Sequence, residues 1–257
     1  DLVTGLTNPY GIALDVSAGK MYWTDYATNK IQDANMDGTG DVCDLVTGLT
    51  YPIAIALDVA NGKMYWTDII DGNIYDANMD GTGDVCELVT GLTTPLGIAL
   101  DVAAGKMYWT DGGTSKIQRA NMSDGSSVED LVTGLSAPIG IALDVVAGKM
   151  YWTDFGTDKI QRANMSDGSS VEDLVTGLDE PYGIALDVAG RKMYWTDIDT
   201  DKIQRANMDG VLTPGEVWSF RVVRDPCNGA AWRGKDDTFY AIWAFNDWDT
   251  GPNVAAD

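Results

Sequence analysis

The sequence predicts an all-β chain folded as a six-bladed β-propeller, with four antiparallel strands in each blade. Three observations carry this. Tyr-Trp-Thr-Asp occurs at 22–25, 65–68, 108–111, 151–154 and 194–197, each copy 43 residues after the last, and a strict period of that size marks a solenoid, propeller or array. Each period holds four short segments edged by Gly, Pro, Asn or Asp, the punctuation of strands. No apolar 3.6-residue period persists for ten residues, so helices are not expected.

The first repeat reads as a strand at Gly11-Ile12-Ala13-Leu14-Asp15-Val16, a second from Lys20 to Asp25, a third from Lys30 to Met36 and a fourth from Val42 to Thr47. Ser17-Ala18-Gly19 and Asp37-Gly38-Thr39-Gly40 are hairpin-type turns. Four antiparallel strands in a unit of this length make one propeller blade, and the run Met-Tyr-Trp suits a strand packed on both faces by neighbouring blades. An open β-solenoid is the alternative, though its coils are usually shorter.

Five periods fill residues 1–215. The remainder, 216–257, lacks the motif but keeps its layout. Glu216-Val217-Trp218-Ser219-Phe220 stands in the place of Asp-Leu-Val-Thr-Gly, Gly229 to Trp232 reads as a first strand, Phe239 to Ala244 as a second, and Trp248 to Val254 as a third. The missing fourth strand is matched by a spare one at residues 1–6. Their pairing predicts a degenerate sixth blade over 216–257, completed by the N-terminal strand, in a ring without open sheet edges. No unit of a repeat array buries its apolar surface alone, so residues 1–257 are expected to form one domain.

The net charge is −22. Such a chain repels nucleic acid and anionic lipid and attracts cations or basic partners. It has no run of about 18 apolar residues, so no membrane-spanning helix is expected. It opens in mid-repeat with neither an initiator Met nor a signal peptide, as a mature product or an excised piece would. Histidine is absent, which removes the usual general base, the commonest metal ligand and the ordinary pH switch. Cys43 and Cys86 fill one position in adjacent repeats, on outer strands expected to diverge beyond the roughly 7 Å Cα limit for a disulfide. With Cys227 they read as free or partly buried thiols.

The five copies resemble the YWTD repeat of the low-density-lipoprotein-receptor class, a six-bladed extracellular propeller. The likeness covers residues 1–215, and the tail follows it in length and rhythm only. It implies a non-enzymatic module, extracellular or at a cell surface, that binds a protein or packs against neighbouring modules. The chain departs from that class in lacking a Cys-rich framework and any His for releasing ligand in acid.

Asp15, Asp58, Asp101, Asp144 and Asp187 end the first strands, and Asp25, Asp68, Asp111, Asp154 and Asp197 end the second. Catalysis needs one site, whereas a carboxylate repeated five times reads as a turn cap or blade-to-blade hydrogen bond. Arg119, Arg162 and Arg205 follow eight residues after the second Asp in copies three to five and suit a salt bridge within the blade. Copies one and two carry Asp33 and Asp76 there. The replacement creates the oxygen spacing of a calcium loop: Asp33, Asn35, Asp37, Asp41 and Asp44 in one copy, and Asp76, Asn78, Asp80, Asp84 and Glu87 in the next, each with Gly at the sixth position. Calcium is the one cofactor the pattern admits, and a calcium-binding structural protein of a cell surface or matrix is the alternative function. Against it, the same segments read as β-turns. Asn121-Met122-Ser123 and Asn164-Met165-Ser166 are sequons of a kind that chance supplies.

The copies differ most in two connections, Tyr26-Ala27-Thr28-Asn29 and Thr7-Asn8-Pro9-Tyr10 with their equivalents, which an up-and-down blade places at one end. That end is expected to present Tyr10, Tyr26, Ile53, Ile69, Leu96, Ile139, Phe155, Tyr182 and Ile198 among Asp71, Asp158, Asp179, Glu180, Asp199 and Asp201. Of these, Tyr10, Tyr26, Ile69, Phe155, Asp158, Asp179, Glu180, Tyr182 and Ile198 are the candidate contacts to a partner. Apolar and aromatic anchors inside an acidic surround suit a protein or peptide carrying basic and apolar groups. The same residues could instead simply plug the channel mouth.

Overall fold

The computed structural model describes residues 1–210 and 220–221. These form five four-stranded antiparallel blades. Blade one is β1 (Pro9–Asp15), β2 (Lys20–Asp25), β3 (Lys30–Asn35) and β4 (Cys43–Thr47); blade two is β5 (Pro52–Asp58), β6 (Lys63–Asp68), β7 (Asn73–Asn78) and β8 (Cys86–Val89). Blade three is β9 (Pro95–Asp101), β10 (Lys106–Asp111), β11 (Lys116–Asn121) and β12 (Glu129–Thr133), and blade four is β13 (Pro138–Asp144), β14 (Lys149–Asp154), β15 (Lys159–Asn164) and β16 (Glu172–Thr176). Blade five is β17 (Pro181–Asp187), β18 (Lys192–Asp197), β19 (Lys202–Asn207) and β20 (Phe220–Arg221).

The first strands of successive blades lie side by side, from β1 through β5, β9 and β13 to β17, and line the inside of the arc. The Lys-Met-Tyr-Trp-Thr-Asp strand comes second and is buried along its length in blades one to four. A pleated strand sends alternate side chains to opposite faces, so burial from Met to Asp requires cover on both faces, from a blade on each side in blades two to four and from Val3 and Leu6 opposite blade two in blade one. In β18 the same sequence buries only alternate residues, because among the described residues only its blade-four face is covered. Trp23, Trp109, Trp152 and Trp195 each donate the indole N–H to a third-strand Gln at 2.9–3.2 Å. Tyr75 replaces that Gln in blade two and stacks on Trp66 instead, with ring centroids 5.5 Å apart.

Each first strand begins at its Pro, two residues earlier than expected, and carries a bulge opposite the Thr of Tyr-Trp-Thr-Asp. The bulge frees the N–H of Gly11, which donates to Thr24 Oγ1 at 2.9 Å, while Thr24 donates to Ile53 O of the next blade at 2.6 Å. Thr67, Thr110 and Thr153 make the same pair of bonds to their own and the following blade. A Cβ on Gly11 or Gly97 would lie 2.4 and 2.5 Å from Ile53 O and Ile139 O, whereas Ala54 holds the same position in blade two.

Two expectations for the ring ends change. Residues 1–6 form no strand. They nevertheless sit where an outer strand belongs: a Cβ on Gly38 would meet Leu2 O at 2.9 Å, as one on Gly81 would meet Leu45 O of β4 at 2.9 Å. The strand expected over 216–220 is Phe220–Arg221, which belongs to blade five. Phe220 pairs with Ile203 as Val175 pairs with Ile160, although the 43-residue period would put Trp218 there. The connection after β19 is therefore two residues longer than its counterparts. The rest of the expected sixth blade, and Cys227, fall outside the described residues. No helix among the described residues is long and apolar enough to cross a membrane.

Candidate functional site

The Asp of each Tyr-Trp-Thr-Asp is almost fully buried and gathers the two variable connections at one end of the blade. Asp25 accepts from Thr7 N and Thr28 N, both at 3.0 Å, and from Asn8 N at 3.3 Å. Asp68 accepts from Thr50, Tyr51, Ile70 and Asp71, and Asp111 from Thr93, Thr94 and Thr114. The two connections also bond directly in every blade, through Tyr26 N to Asn8 O at 3.2 Å and its equivalents. These carboxylates are the brackets of the loop end, as their repetition implied.

On those brackets the structure gathers an aromatic row. Phe155 meets Tyr182 edge to face with centroids 6.5 Å apart; Tyr182 meets Tyr10 at 6.1 Å, Tyr10 meets Tyr26 at 6.2 Å, and Tyr26 stacks on Tyr51 at 4.5 Å. The Tyr10 and Tyr182 hydroxyls share a hydrogen bond. The row thus runs from blade four through five and one to two. Phe155, Tyr182, Tyr26 and Tyr51 are half-buried, as an anchor surface requires. Tyr10 was expected to present itself and instead is 8% exposed, along with Ile53 at 2% and Ile139 at 7%. They face the closely spaced inner strands and form the floor. Ile69 and Leu96 are half-buried and pack, like Tyr26, Tyr51 and Tyr182, against the cluster that holds Tyr10 and Ile53. Ile198 is half-buried and outside the row, its N–H donating to Glu180 O at 3.2 Å.

Acidic groups flank the Phe155–Tyr182 end. Asp158 Oδ1 accepts from Glu180 N at 3.2 Å, tying the two loops together. The Asp179 and Glu180 carboxyls are pushed above their usual range by desolvation, then by Asp199 and the other carboxylates around them, Asp158 and Asp197 included. A concentration of negative charge is therefore held there at some electrostatic cost, which a cation would relieve. Asp71 lies at the far side of the ring, accepting from the Tyr75 hydroxyl at 3.0 Å.

The calcium loops do not assemble. Asp33 lies in β3, pairing with Lys20 at 2.6 Å, and Asp44 lies in β4, pairing with Lys30 at 2.7 Å. Asp37 caps its own turn through Thr39, and Asn35 reaches the same Thr39 at 3.4 Å, while Asp41 is exposed. In blade two, Asp76 pairs with Lys63 at 2.9 Å and Asp80 caps Thr82, leaving Asn78, Asp84 and Glu87 spread over turn and outer strand. Straight pairing of β3 with β4 stretches the loop that would have to encircle an ion. No three Asp, Glu or Cys side chains converge closely enough to hold a metal ion among the described residues. Cys43 and Cys86 are free and exposed rather than partly buried. Arg119 and Arg162 bridge to Glu129 and Glu172 within the blade, and also reach the next one.

Tyr51 was missed in the sequence. Its signal was there, as the single aromatic among the residues that precede the five first-strand prolines (Asn8, Tyr51, Thr94, Ala137 and Glu180).

Comparison with known proteins agrees with this architecture. Among solved structures, a chain of a nidogen/laminin complex is 30% identical with a TM-score of 0.72, covering 77% of this chain and 75% of that one. A streptogramin B lyase structure is 18% identical, with a TM-score of 0.65 and coverage of 84% and 69%. A gluconolactonase from Xanthomonas campestris is 18% identical, with a TM-score of 0.69 and coverage of 85% and 77%. At that identity the last two speak for the propeller fold alone. No curated protein matches. Residues 1–206, four-fifths of the chain, match the Virginiamycin B lyase family, and the chain belongs to that family.

Proposed function

We propose that this chain is a non-catalytic recognition module that takes a protein or peptide partner on the aromatic end of the propeller. The observation that carries the reading is the continuous row Phe155–Tyr182–Tyr10–Tyr26–Tyr51, joined across four blades and flanked by Asp158, Asp179, Glu180 and Asp199. Rigid aromatics supply contact area at low entropic cost and dominate binding energy where they cluster, and a ring face beside a carboxylate favours Arg or Lys. The partner is a segment with basic and apolar side chains. The 30% identity to a chain of a nidogen/laminin complex, together with the YWTD likeness, supports a protein partner and an extracellular or cell-surface setting.

The ring is completed by a sixth blade drawn from the residues after β20, with Leu2 and Val3 as its outer edge. Two features support this: the half-covered β18, and the place of Leu2 against Gly38.

Peptide display against the immobilised chain tests the binding reading. Selected peptides should be rich in Arg or Lys beside aromatic residues and should lose capture by a Phe155→Ala/Tyr182→Ala/Asp158→Asn variant of unchanged melting temperature. A pool that binds wild type and variant alike rejects it. Family membership favours a second reading, an enzyme acting on a virginiamycin-B-like substrate, whose acid–base groups would be drawn from Asp, Glu, Tyr, Lys or Cys because the chain has no His. Incubation with virginiamycin B, followed by chromatography and tandem mass spectrometry, decides between them: a linearised product, of unchanged mass if the ring opens by elimination or heavier by one water if it is hydrolysed, establishes the second reading.

A further inference from the structure

At the end of the arc away from the aromatic row, blades one and two leave a cleft of about 460 Å³ whose lining includes Asp15, Lys20, Tyr22, Asp33, Cys43 and Met79. The repeat itself explains the space. In blade three the corresponding place is filled from within by Arg119. Its guanidinium donates to Met165 O of blade four at 2.8 Å and to Glu129 at 2.7 Å, and it lies at the Tyr108 hydroxyl. Arg162 repeats the arrangement with Met208 O at 2.9 Å, Glu172 at 2.7 Å and Tyr151. Two periods before Arg119, Tyr108, Glu129 and Met165 stand Asp33, Tyr22, Cys43 and Met79. All four line the cleft. The place has kept its tyrosine and its carbonyl-bearing methionine, lost its arginine, and gained a carboxylate.

That carboxylate is only half used. The Asp33 side chain is 7% exposed, and its Oδ2 takes Lys20 Nζ at 2.6 Å. Its Oδ1 is buried with no hydrogen-bond partner. A buried charged acceptor left unpaired costs more than a neutral one, so the cleft holds a standing preference for a donor. Asp15, Asp33 and Asp80 also outweigh Lys20 in formal charge, three against one. The same field acts on Tyr22, whose hydroxyl is pushed up to about 12 by burial first and then by Asp33, Asp15 and Asp80.

We propose that this cleft binds a guanidinium group from outside the chain, the arginine side chain of a partner, in the place that Arg119 and Arg162 fill from inside in blades three and four. The incoming group donates to Asp33 Oδ1 and Met79 O beside Tyr22. Guanidinium is favoured over ammonium because its planar fork reaches two divergent acceptors at once and is more weakly hydrated. The cleft and the aromatic row lie at opposite ends of the blades, so either can fail without the other.

The test is a calorimetric titration of the full chain with N-acetylarginine amide and, at matched ionic strength, N-acetyllysine amide. Alkylation of Cys43, followed by mass spectrometry, reports where the probe sits. Arginine amide should bind more tightly than lysine amide and slow Cys43 alkylation. Asp33→Asn should weaken it at least about tenfold, as expected for a lost charge-assisted hydrogen bond. Asp33→Arg/Cys43→Glu rebuilds the blade-three set and should abolish arginine-amide binding in the titration while the melting temperature is held or raised. If that variant does not fold, Asp33→Asn alone decides. Equal binding of the two amides, or Cys43 protection that survives Asp33→Asn, overturns the proposal.

Discussion

Replacing Thr110 by Val tests how the blades are held together. Thr110 is fully buried, accepts from Gly97 N at 2.9 Å and donates to Ile139 O of the next blade at 2.6 Å. Val keeps the shape and removes the hydroxyl, leaving one buried N–H and one buried carbonyl unpaired. Each costs about 1–3 kcal/mol, so the variant loses about 2–6 kcal/mol. Thr110→Ser keeps both bonds and loses one buried methyl, about 1 kcal/mol. The gap between the two variants, about 3 kcal/mol at mid-range, corresponds to roughly 6–12 °C in a domain of this size. Thermal unfolding by circular dichroism reads it directly. A Val variant as stable as the Ser variant would refute the claim that the threonine hydroxyl joins neighbouring inner strands, and would leave apolar packing and the outer Arg119–Met165 O bond to hold blades three and four together.

Gly97→Ala puts a Cβ 2.5 Å from Ile139 O and should cost about 1–3 kcal/mol by overpacking, read as a lowered melting temperature; an unchanged one would mean the inner strands are not in contact there. Calcium at a hundredfold excess over its dissociation constant would stabilise by about 2.7 kcal/mol if the folded chain alone bound it, whereas the separated ion pairs of Asp33 and Asp76 predict equal melting with calcium and with chelator. Asp179 and Glu180 have raised folded values, so stability from their protonated forms is fully present below the unfolded values of 3.8 and 4.5 and is lost as pH rises through the folded ones. Asp179→Asn/Glu180→Gln should therefore raise the melting temperature at neutral pH and leave it unchanged well below those values. Capture of a basic peptide should weaken as pH falls through the same window, which a titration by fluorescence anisotropy checks.

Local order was legible where one residue type has one physical use. Lys20–Asp25 matches the expected strand residue for residue, because its apolar run, its threonine and its terminal carboxylate are each consumed by the contact between blades. The turn after β3 misled because ligand spacing counts oxygens along the chain, whereas pairing of β3 with β4 fixes where Asp33 and Asp44 point. Each pairs with a lysine, Asp33 with Lys20 and Asp44 with Lys30. Loop variation pointed to the right end of the blades but could not separate floor from rim. Tyr10 and Tyr182 occupy the same repeat position, yet one is buried and the other half-exposed. The two-residue lengthening before β20 has no signature in a period measured from intact copies.

The proposed recognition on the aromatic end is open to direct measurement. Hydrogen exchange of the full chain with and without a display-selected basic–aromatic peptide tests it most directly. The account predicts slowed exchange at 7–10, 26–29, 50–53, 155–158 and 179–182, the connections that carry the aromatic row and its acids. Protection confined to the opposite turns, around 37–41 and 80–84, would contradict it.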